Sequence, residues 1–354
     1  MMIKTLYLRD FRNYKEATIS FSSKINAIWG NNAQGKTNLL EALHLFVTGR
    51  SFRTSHLIEL IRFGAHAFYL EILFEKNGIE QKLKFSFDGN ERKIIHNATP
   101  LASLSTLLGI LIGVTLSPED RSLVKGGPSL RRHFLDLLLA QANPLYLHHL
   151  SRYVKAMKQR NFLLKKRTLE TIAIWEEQMA HAAAFLTHHR SHTVADLEKL
   201  SQAETLASDQ ITLIYRSQAL AATGDNLESL SHYFLRQFEK HRRRECDLGV
   251  TLSGPHRDDL SILLHSKEAR QFASEGQQHS CVASLKLAQL NWLYALTGRL
   301  PILCIDDVSL SFDASREQEL YQRMENLGQV FITSARPPLP NAYSIHIDNG
   351  QSIL

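Results

Sequence analysis

The run Gly30-Asn31-Asn32-Ala33-Gln34-Gly35-Lys36-Thr37 has the residue types and spacing to hold a triphosphate. Its glycines let the backbone wrap an anion with N–H groups turned inward, and a helix beginning directly after them adds its positive end. Lys36 is placed to reach the β- and γ-phosphates, and the Thr37 hydroxyl to hold Mg²⁺. The apolar run Ile25–Trp29 before the loop reads as a strand. Residues 38–46 after it carry apolar side chains at helical spacing. ATP and Mg²⁺ are therefore the expected ligands.

A second set of groups suits the same chemistry. Leu300-Pro301-Ile302-Leu303-Cys304-Ile305-Asp306-Asp307 is an apolar run ending in two carboxylates, the pattern of a buried parallel strand whose tip faces a metal. Asp306 is the expected Mg²⁺ ligand. Asp307 is expected to position or deprotonate the attacking water, so Asp307 and Lys36 are the candidate catalytic residues. Upstream, Ser274-Glu275-Gly276-Gln277-Gln278 opens a helix over residues 280–296. Its serine hydroxyl, glycine amides and dipole make another anion-binding N-terminus. Alone, such a segment is an ordinary N-cap. Placed after a phosphate loop and before Asp306-Asp307, it points to a sandwich of two copies, with Ser274, Gly276 and Gln277 meeting the γ-phosphate in trans.

These groups need a sheet to position them. Leu6 and Leu8, then Ala17, Ile19 and Phe21, alternate as half-buried strands leading to the loop. Residues 68–75 and 80–87 flank Lys76-Asn77-Gly78, a hairpin turn, and Asp88-Gly89 starts another before 92–95. Residues 97–118 carry no charge, but Gly109, Gly113, the flanking prolines and several Ser and Thr argue for a short helix and a buried strand over 110–116 instead of a membrane span. From 129 to about 244 the signal is helical, without a sustained heptad, so a compact lobe is expected. After Leu248 strands resume. The expected fold is α/β: a mixed sheet with the phosphate loop and Asp306-Asp307 at neighbouring strand ends, an antiparallel meander beside it, and a helical lobe inserted. The expected divisions are 1–120, 121–247 and 248–354.

Charge is unevenly spread. The chain has 41 Lys and Arg against 35 Asp and Glu, a net +6, yet residues 121–170 alone hold eleven Lys/Arg against two acids. That window includes Arg131-Arg132 and Lys165-Lys166-Arg167, and Lys240-His241-Arg242-Arg243-Arg244 forms a second cluster. With Arg50 and Arg53 these residues are the candidate nucleic-acid contacts. No helix-turn-helix, zinc finger or aromatic platform is visible, so contacts are expected on phosphates, with little sequence information. The 17 histidines are scattered and call for no functional account, apart from His256 inside a motif given below. Cys246, Cys281 and Cys304 are widely spaced, which suits a reducing compartment. Met1-Met2-Ile3-Lys4 runs straight into strand-like sequence without a signal-peptide pattern, so a cytoplasmic location is expected.

Several segments together resemble the RecF family, bacterial recombination mediators among the ABC-type ATPases related to SMC heads. They are Asp10-Phe11-Arg12-Asn13-Tyr14, Gln34-Gly35-Lys36-Thr37-Asn38-Leu39-Leu40-Glu41-Ala42, Gly49-Arg50-Ser51-Phe52-Arg53-Thr54 and Ser117-Pro118-Glu119-Asp120. Gly254-Pro255-His256-Arg257-Asp258-Asp259, Leu285-Lys286-Leu287-Ala288 and Gln329-Val330-Phe331-Ile332-Thr333 follow in order. The resemblance implies an ABC-type head with a helical arm lobe, ATP-dependent homodimerisation, and slow, DNA-stimulated hydrolysis acting mainly as a switch. It implies binding to single-stranded, duplex or gapped DNA, and cooperation with RecR and RecO in loading RecA at replication gaps during recombinational repair. It also implies that Arg12 and Asn13 touch the nucleotide near its α-phosphate and base, and that Asp313 and Thr333 are switch positions. Three departures stand out: Asn31 where an acid is usual, His279 in place of an arginine, and Val308-Ser309-Leu310-Ser311-Phe312-Asp313, which lacks the family's Ser-Glu pair before Leu-Asp and keeps only Asp313 in place. The alternatives are the ATPase subunit of a membrane transporter and a small-molecule kinase. The first leaves the basic lobe unexplained, and the second also leaves Ser274-Glu275-Gly276-Gln277 without a role.

Overall fold

The computed structural model describes residues 1–203, 210–307, 321–324, 327–335 and 341–353. The chain forms two compact units, one from Met1–Arg121 and the described part of Ser274–Leu354, the other from Ser122–Ala203 and Gln210–Ala273. The first unit begins with β1 (Met2–Phe11), β2 (Tyr14–Ser20), β3 (Ile25–Trp29), α1 (Lys36–Thr48), β4 (Phe68–Lys76), β5 (Ile79–Phe87), β6 (Arg92–His96), β7 (Thr99–Pro100) and β8 (Gly113–Leu116). The second contains α2 (Ser122–Lys125), α3 (Pro128–Ala142), α4 (Pro144–Lys166), α5 (Ile172–Ala203), β9 (Ile211–Arg216), α6 (Gln218–Thr223), α7 (Leu227–Leu248), β10 (Asp259–Leu264), β11 (Lys267–Glu268) and α8 (Ala269–Phe272). The chain then re-enters the first unit with α9 (Glu275–Thr297), β12 (Ile302–Ile305), β13 (Val330–Ser334), β14 (Tyr343–Asp348) and β15 (Gln351–Ile353).

The first unit is two six-stranded sheets around one core. One sheet runs β2-β1-β4-β5-β6-β7, the other β15-β14-β3-β13-β12-β8. The first is an antiparallel meander; its central strand β4 alternates buried and half-buried residues, as a sheet with one more deeply covered face requires. Its central hairpin pairs Lys76 with Ile79, and Asn77 and Gly78 both take positive φ (53° and 75°), the geometry of a two-residue turn matched to strand twist. The second sheet is parallel from β14 through β8, with β15 antiparallel at its edge. Its inner strands β3 and β13 and the strands β12 and β8 are largely apolar because both faces are covered; β8 and β12 are buried throughout. Helix α1 is buried nearly all round, and Leu39, Leu43 and Phe46 share a core with Leu6 and Phe85 of the meander and with Ile302, Cys304 and Phe331 of the parallel sheet.

Two expectations change here. The phosphate-loop strand β3 and the strand β12 that ends at Asp306 are not neighbours, because β13 pairs with both. The chain also rejoins the first unit at Ser274 instead of near Leu248. The strand sequence after 248 pairs with β9 in a separate three-stranded sheet, β11-β10-β9, and the edge of the parallel sheet is β8. Asp259↔Arg216 through Leu264↔Ile211 is an uninterrupted antiparallel register. No helix among the described residues is long and apolar enough to cross a membrane.

In the second unit, Asn143 and Asn226 cap α4 and α7 by accepting backbone N–H bonds in their first turns. Much of its basic charge is structural. Arg160 is fully buried and bonds Glu176, Thr251 and the Phe238 carbonyl, with Glu245 at 2.6 Å. Arg190 bonds Asp136, Tyr146 and the Pro255 carbonyl. A buried guanidinium with these partners holds helices together.

Candidate nucleotide site

The loop 30–37 leaves β3 and feeds α1. Gly30 and Gly35 have φ of 146° and 117°, where a side chain is strained. A Cβ on Gly30 would meet the Ile347 carbonyl at 2.3 Å, and one on Gly35 would meet Asn13 at 2.8 Å. The loop is tied from outside. The Tyr14 hydroxyl donates to the Gly35 carbonyl (2.9 Å), while Asn13 Nδ2 and the Gly350 amide both donate to the Gln34 carbonyl (2.8 and 3.0 Å). Carbonyls held outward leave amides to face inward. Helix α1 has no side-chain cap at its N-terminus, so the donors of its first turn are available to an anion. Lys36 Nζ donates to the carbonyls of Gly30 (2.7 Å) and Asn31 (2.8 Å). Burial lowers the Lys36 pKa, and the nearby Asp307 and Asp306 charges oppose that shift.

The metal end is assembled by strand order. β12 delivers Asp306 and β13 delivers Thr333 between it and the loop. Thr37 Oγ1 and Thr333 Oγ1 both donate to Asp306 Oδ1, at 2.9 and 2.8 Å, and Thr333 Oγ1 accepts from the Asp307 amide at 2.8 Å. Burial raises the Asp306 carboxyl above its usual range, opposed by these two hydroxyl bonds. The donor set fits Mg²⁺: Thr37 Oγ1 and Asp306 Oδ1 are 2.9 Å apart, the edge of an octahedron with bonds of about 2.1 Å. Asp307 has φ of 51°, an unfavourable value for a non-glycine residue, and there the chain turns off the strand.

Thr333 is thus placed at the centre of the polar network, and Tyr14, Asn349 and Gly350 support the loop. None was assigned these contacts from sequence. Tyr14 and Thr333 lay inside resembling segments, and the resemblance marked Thr333 as a switch position. Gln34 Oε1 accepts from the Asn349 amide at 2.6 Å. Asp313, with 308–312, lies outside the described residues.

Arg12 and Asn13 do not hang free over the loop. Arg12 forms a two-pronged pair with Glu41, Nε to Oε2 at 2.8 Å and Nη2 to Oε1 at 2.7 Å, and gives Nη1 to the Glu59 carbonyl. Glu41 is wholly buried and also accepts from Ser51. A buried carboxylate needs this compensation, so Arg12 is engaged in bracing α1. Asn13 Oδ1 accepts from Asn38 Nδ2 at 2.8 Å. Arg53, expected at DNA, bonds Asn38 at 2.9 Å and lies 3.7 Å from Glu41.

Ser274 caps α9 in a capping box. Its hydroxyl accepts from the Gln277 amide and its amide donates to Gln277 Oε1. Ser280 Oγ donates to the Gly276 carbonyl. Within one chain Ser274, Gly276 and Gln277 therefore bond inside their own helix start, and Arg121 holds Glu275 at 2.7 Å. His279 has its pKa lowered, chiefly by burial and then by Arg121.

The basic residues divide by burial. Arg131 is buried on Asp259 in a bidentate pair (2.8 and 2.9 Å), so the expectation that it contacts DNA is corrected: its donors face a carboxylate. Arg132 donates to the Asp258 carbonyl and Arg242 pairs with Glu176. Arg50, Lys165, Lys166 and Arg243 are exposed, as is Arg167, which bonds Asp247 at 2.9 Å on the surface.

Comparison with known proteins places this geometry. The family described as RecF/RecN/SMC N terminal domain matches residues 2–346. The DNA replication and repair protein RecF of Protochlamydia amoebophila is 46% identical over 358 aligned residues, covering 100% of this chain and 98% of that protein. Its counterpart in Chlamydia abortus is 41% identical, covering 96% and 93%. The solved structure of the recombination mediator protein RecF-ATP in the RecFOR pathway superposes with a TM-score of 0.92 at 29% identity, covering 99% of this chain and 97% of that one. An SMC head bound to the C-terminal winged-helix domain of ScpA shares the fold, with a TM-score of 0.57 at 15% identity.

Proposed function

We propose that this chain, which belongs to the RecF family, is an ATP-switched DNA-binding protein of replication and recombinational repair, working in the cytoplasm. The observation that carries the reading is the pair Thr37 Oγ1 and Asp306 Oδ1, 2.9 Å apart at the end of a phosphate loop and locked by Thr333. When ATP arrives, Lys36 exchanges the Gly30 and Asn31 carbonyls for phosphate oxygens, and the loop amides and the α1 N-terminus take the remaining charge. Thr37 and Asp306 would hold Mg²⁺, which would offset the charge of the triphosphate. Asp307 orients the attacking water. Ser274 and Gly276 of a second copy complete the γ-phosphate site, so the homodimer forms with ATP and hydrolysis releases it. DNA lies on phosphate contacts from exposed Arg50, Lys165, Lys166, Arg167 and Arg243, and the assembled form serves RecR and RecO in loading RecA.

The test is a DNA titration with ATP, ADP and no nucleotide at 50 and 200 mM salt, on wild type, Lys36→Ala and Asp307→Asn. Binding is expected to need ATP, to ignore sequence, and to weaken on the order of a thousandfold between the two salts if about six phosphates are contacted. Lys36→Ala should lose it, and Asp307→Asn should hold the bound state with hydrolysis slowed. Tight, nucleotide-independent binding by Lys36→Ala would overturn the switch. A native hydrolysis rate in Asp307→Asn would remove Asp307 from its role. Sedimentation supplies the dimer readout: equal dimer with ATP, with ADP and with neither would rule out a γ-phosphate bridge, while Ser274→Arg should bind ATP yet stay monomeric.

A further inference from the structure

We propose a second metal site, for zinc, in the inserted unit, formed by His188 and His192 of α5 and Asp225 in the turn before α7. The two histidines are four residues apart and so lie on one face of the helix. Gly224, in the left-handed region at φ 69°, ends α6, and Asn226 caps α7, so Asp225 sits between two defined helix ends. One carboxylate faces both imidazoles: His188 Nδ1 is 2.9 Å from Asp225 Oδ1 and His192 Nε2 is 2.8 Å from Oδ2. All three ligand atoms lie within 4.8 Å of one another, the single His, Cys, Asp and Glu grouping of this kind among the described residues.

The donor set is that of a three-ligand zinc centre. Tetrahedral zinc with bonds of about 2.0–2.1 Å needs its ligand atoms about 3.3 Å apart. The two imidazoles now address opposite oxygens of the carboxylate, and a modest rotation of Asp225 and the solvent-facing His192 presents one of those oxygens to a zinc shared with both rings. His192 is 62% exposed, so solvent can supply the fourth ligand. His189 stays outside the set. Its Nδ1 lies 3.0 Å from the Phe185 carbonyl and its ring stacks on Phe185. Without a metal, a surface carboxylate against two imidazoles contributes little stability. With one, it becomes a clip between α5 and the start of α7, whose far end carries Arg242 and Arg243. Imidazole with carboxylate selects zinc and its neighbours in the divalent series over Mg²⁺, so this site does not compete with the nucleotide site for its cation.

The experiment uses the full chain, stripped with EDTA and free of nucleotide and Mg²⁺. ZnCl2 is titrated by calorimetry, and Co²⁺ is titrated while its visible d–d bands are followed. One site per chain is expected, weakened about tenfold or more by His192→Ala and by Asp225→Asn, and unchanged by His181→Ala on the same helix. Intense tetrahedral Co²⁺ bands should appear in wild type and fade in His192→Ala. Because His192 is exposed, His192→Ala should melt like wild type in EDTA, and zinc should raise Tm only in wild type. No stoichiometric binding at micromolar zinc, or equal binding by wild type, His192→Ala and Asp225→Asn, overturns the site.

Discussion

Replacing Thr333 with valine would keep the shape of the β13 tip but remove a hydroxyl that donates to Asp306 and accepts from the Asp307 amide. Hydrogen bonds to charged groups are worth about 1.5–3 kcal/mol. If that orientation matters only when water attacks, Thr333→Val should lower kcat about ten- to a hundredfold while ATP binding stays near native. Thr333→Ser retains the hydroxyl and should keep most of the rate. Steady-state ATPase assays beside nucleotide-binding titrations distinguish the cases, and a Thr333→Val enzyme with native kcat would show that the bridge is only architectural. Arg12 gives the contrary lesson at this scale. Beside the nucleotide contact that the resemblance implies for it, this structure gives it a pair with buried Glu41 that fixes α1.

Helices α4, α5 and α7 are joined through a charged group. Arg160 of α4 is completely buried and meets Glu176 of α5, Glu245 of α7 at 2.6 Å and Thr251 beyond α7, with its guanidinium 5.1 Å from the Phe238 ring centre. Truncating it leaves Glu245 buried without a cation and Glu176 with Arg242 alone, which costs about 3–5 kcal/mol. Arg160→Ala should therefore show a clear loss of stability in denaturant unfolding of the intact chain. Adding Glu176→Leu and Glu245→Leu to Arg160→Met should recover much of it, because no buried carboxylate is then left unpaired and the partly exposed Arg242 can turn to solvent. A change below about 1 kcal/mol in Arg160→Ala would mean that water or a rearranged partner reaches the site.

At the scale of the molecule, the parallel sheet takes β3 and β8 from the first third of the chain and β12, β13, β14 and β15 from its end. Neither end can complete that sheet alone. Fragments ending at about residue 120, or beginning at about residue 250, should be insoluble. The intervening unit draws only on residues within 122–273 and has its own helices, three-stranded sheet and buried ion pairs. Expressed as residues 122–273, it should be soluble and melt cooperatively by circular dichroism. A cooperatively folded fragment of residues 1–120 would count against the shared sheet, and an unfolded 122–273 would show that the inserted unit depends on the rest of the chain.

What residue types and spacing determined by themselves is local. The phosphate loop, the Asn77-Gly78 turn, the alternation of the meander and the apolar strand before Asp306 each rest on backbone freedom or periodicity within a few residues, which a sequence displays directly. The resemblance marked Thr333 as a switch position, but nothing in the sequence named its partners. Its contacts with Asp306 and Asp307 follow from β13 pairing between β3 and β12, a register decided by strands up to about 300 residues apart in sequence. The basic windows had the same ambiguity: a lysine on a solvated face and an arginine buried on a carboxylate look alike until packing brings Asp259 to Arg131 and Glu176 to Arg160. The histidines read as scattered for the same reason. His188 and His192 meet Asp225 only because a turn 33 residues further on packs against their helix. Contacts of that span depend on how whole elements pack, so tertiary structure alone decided them.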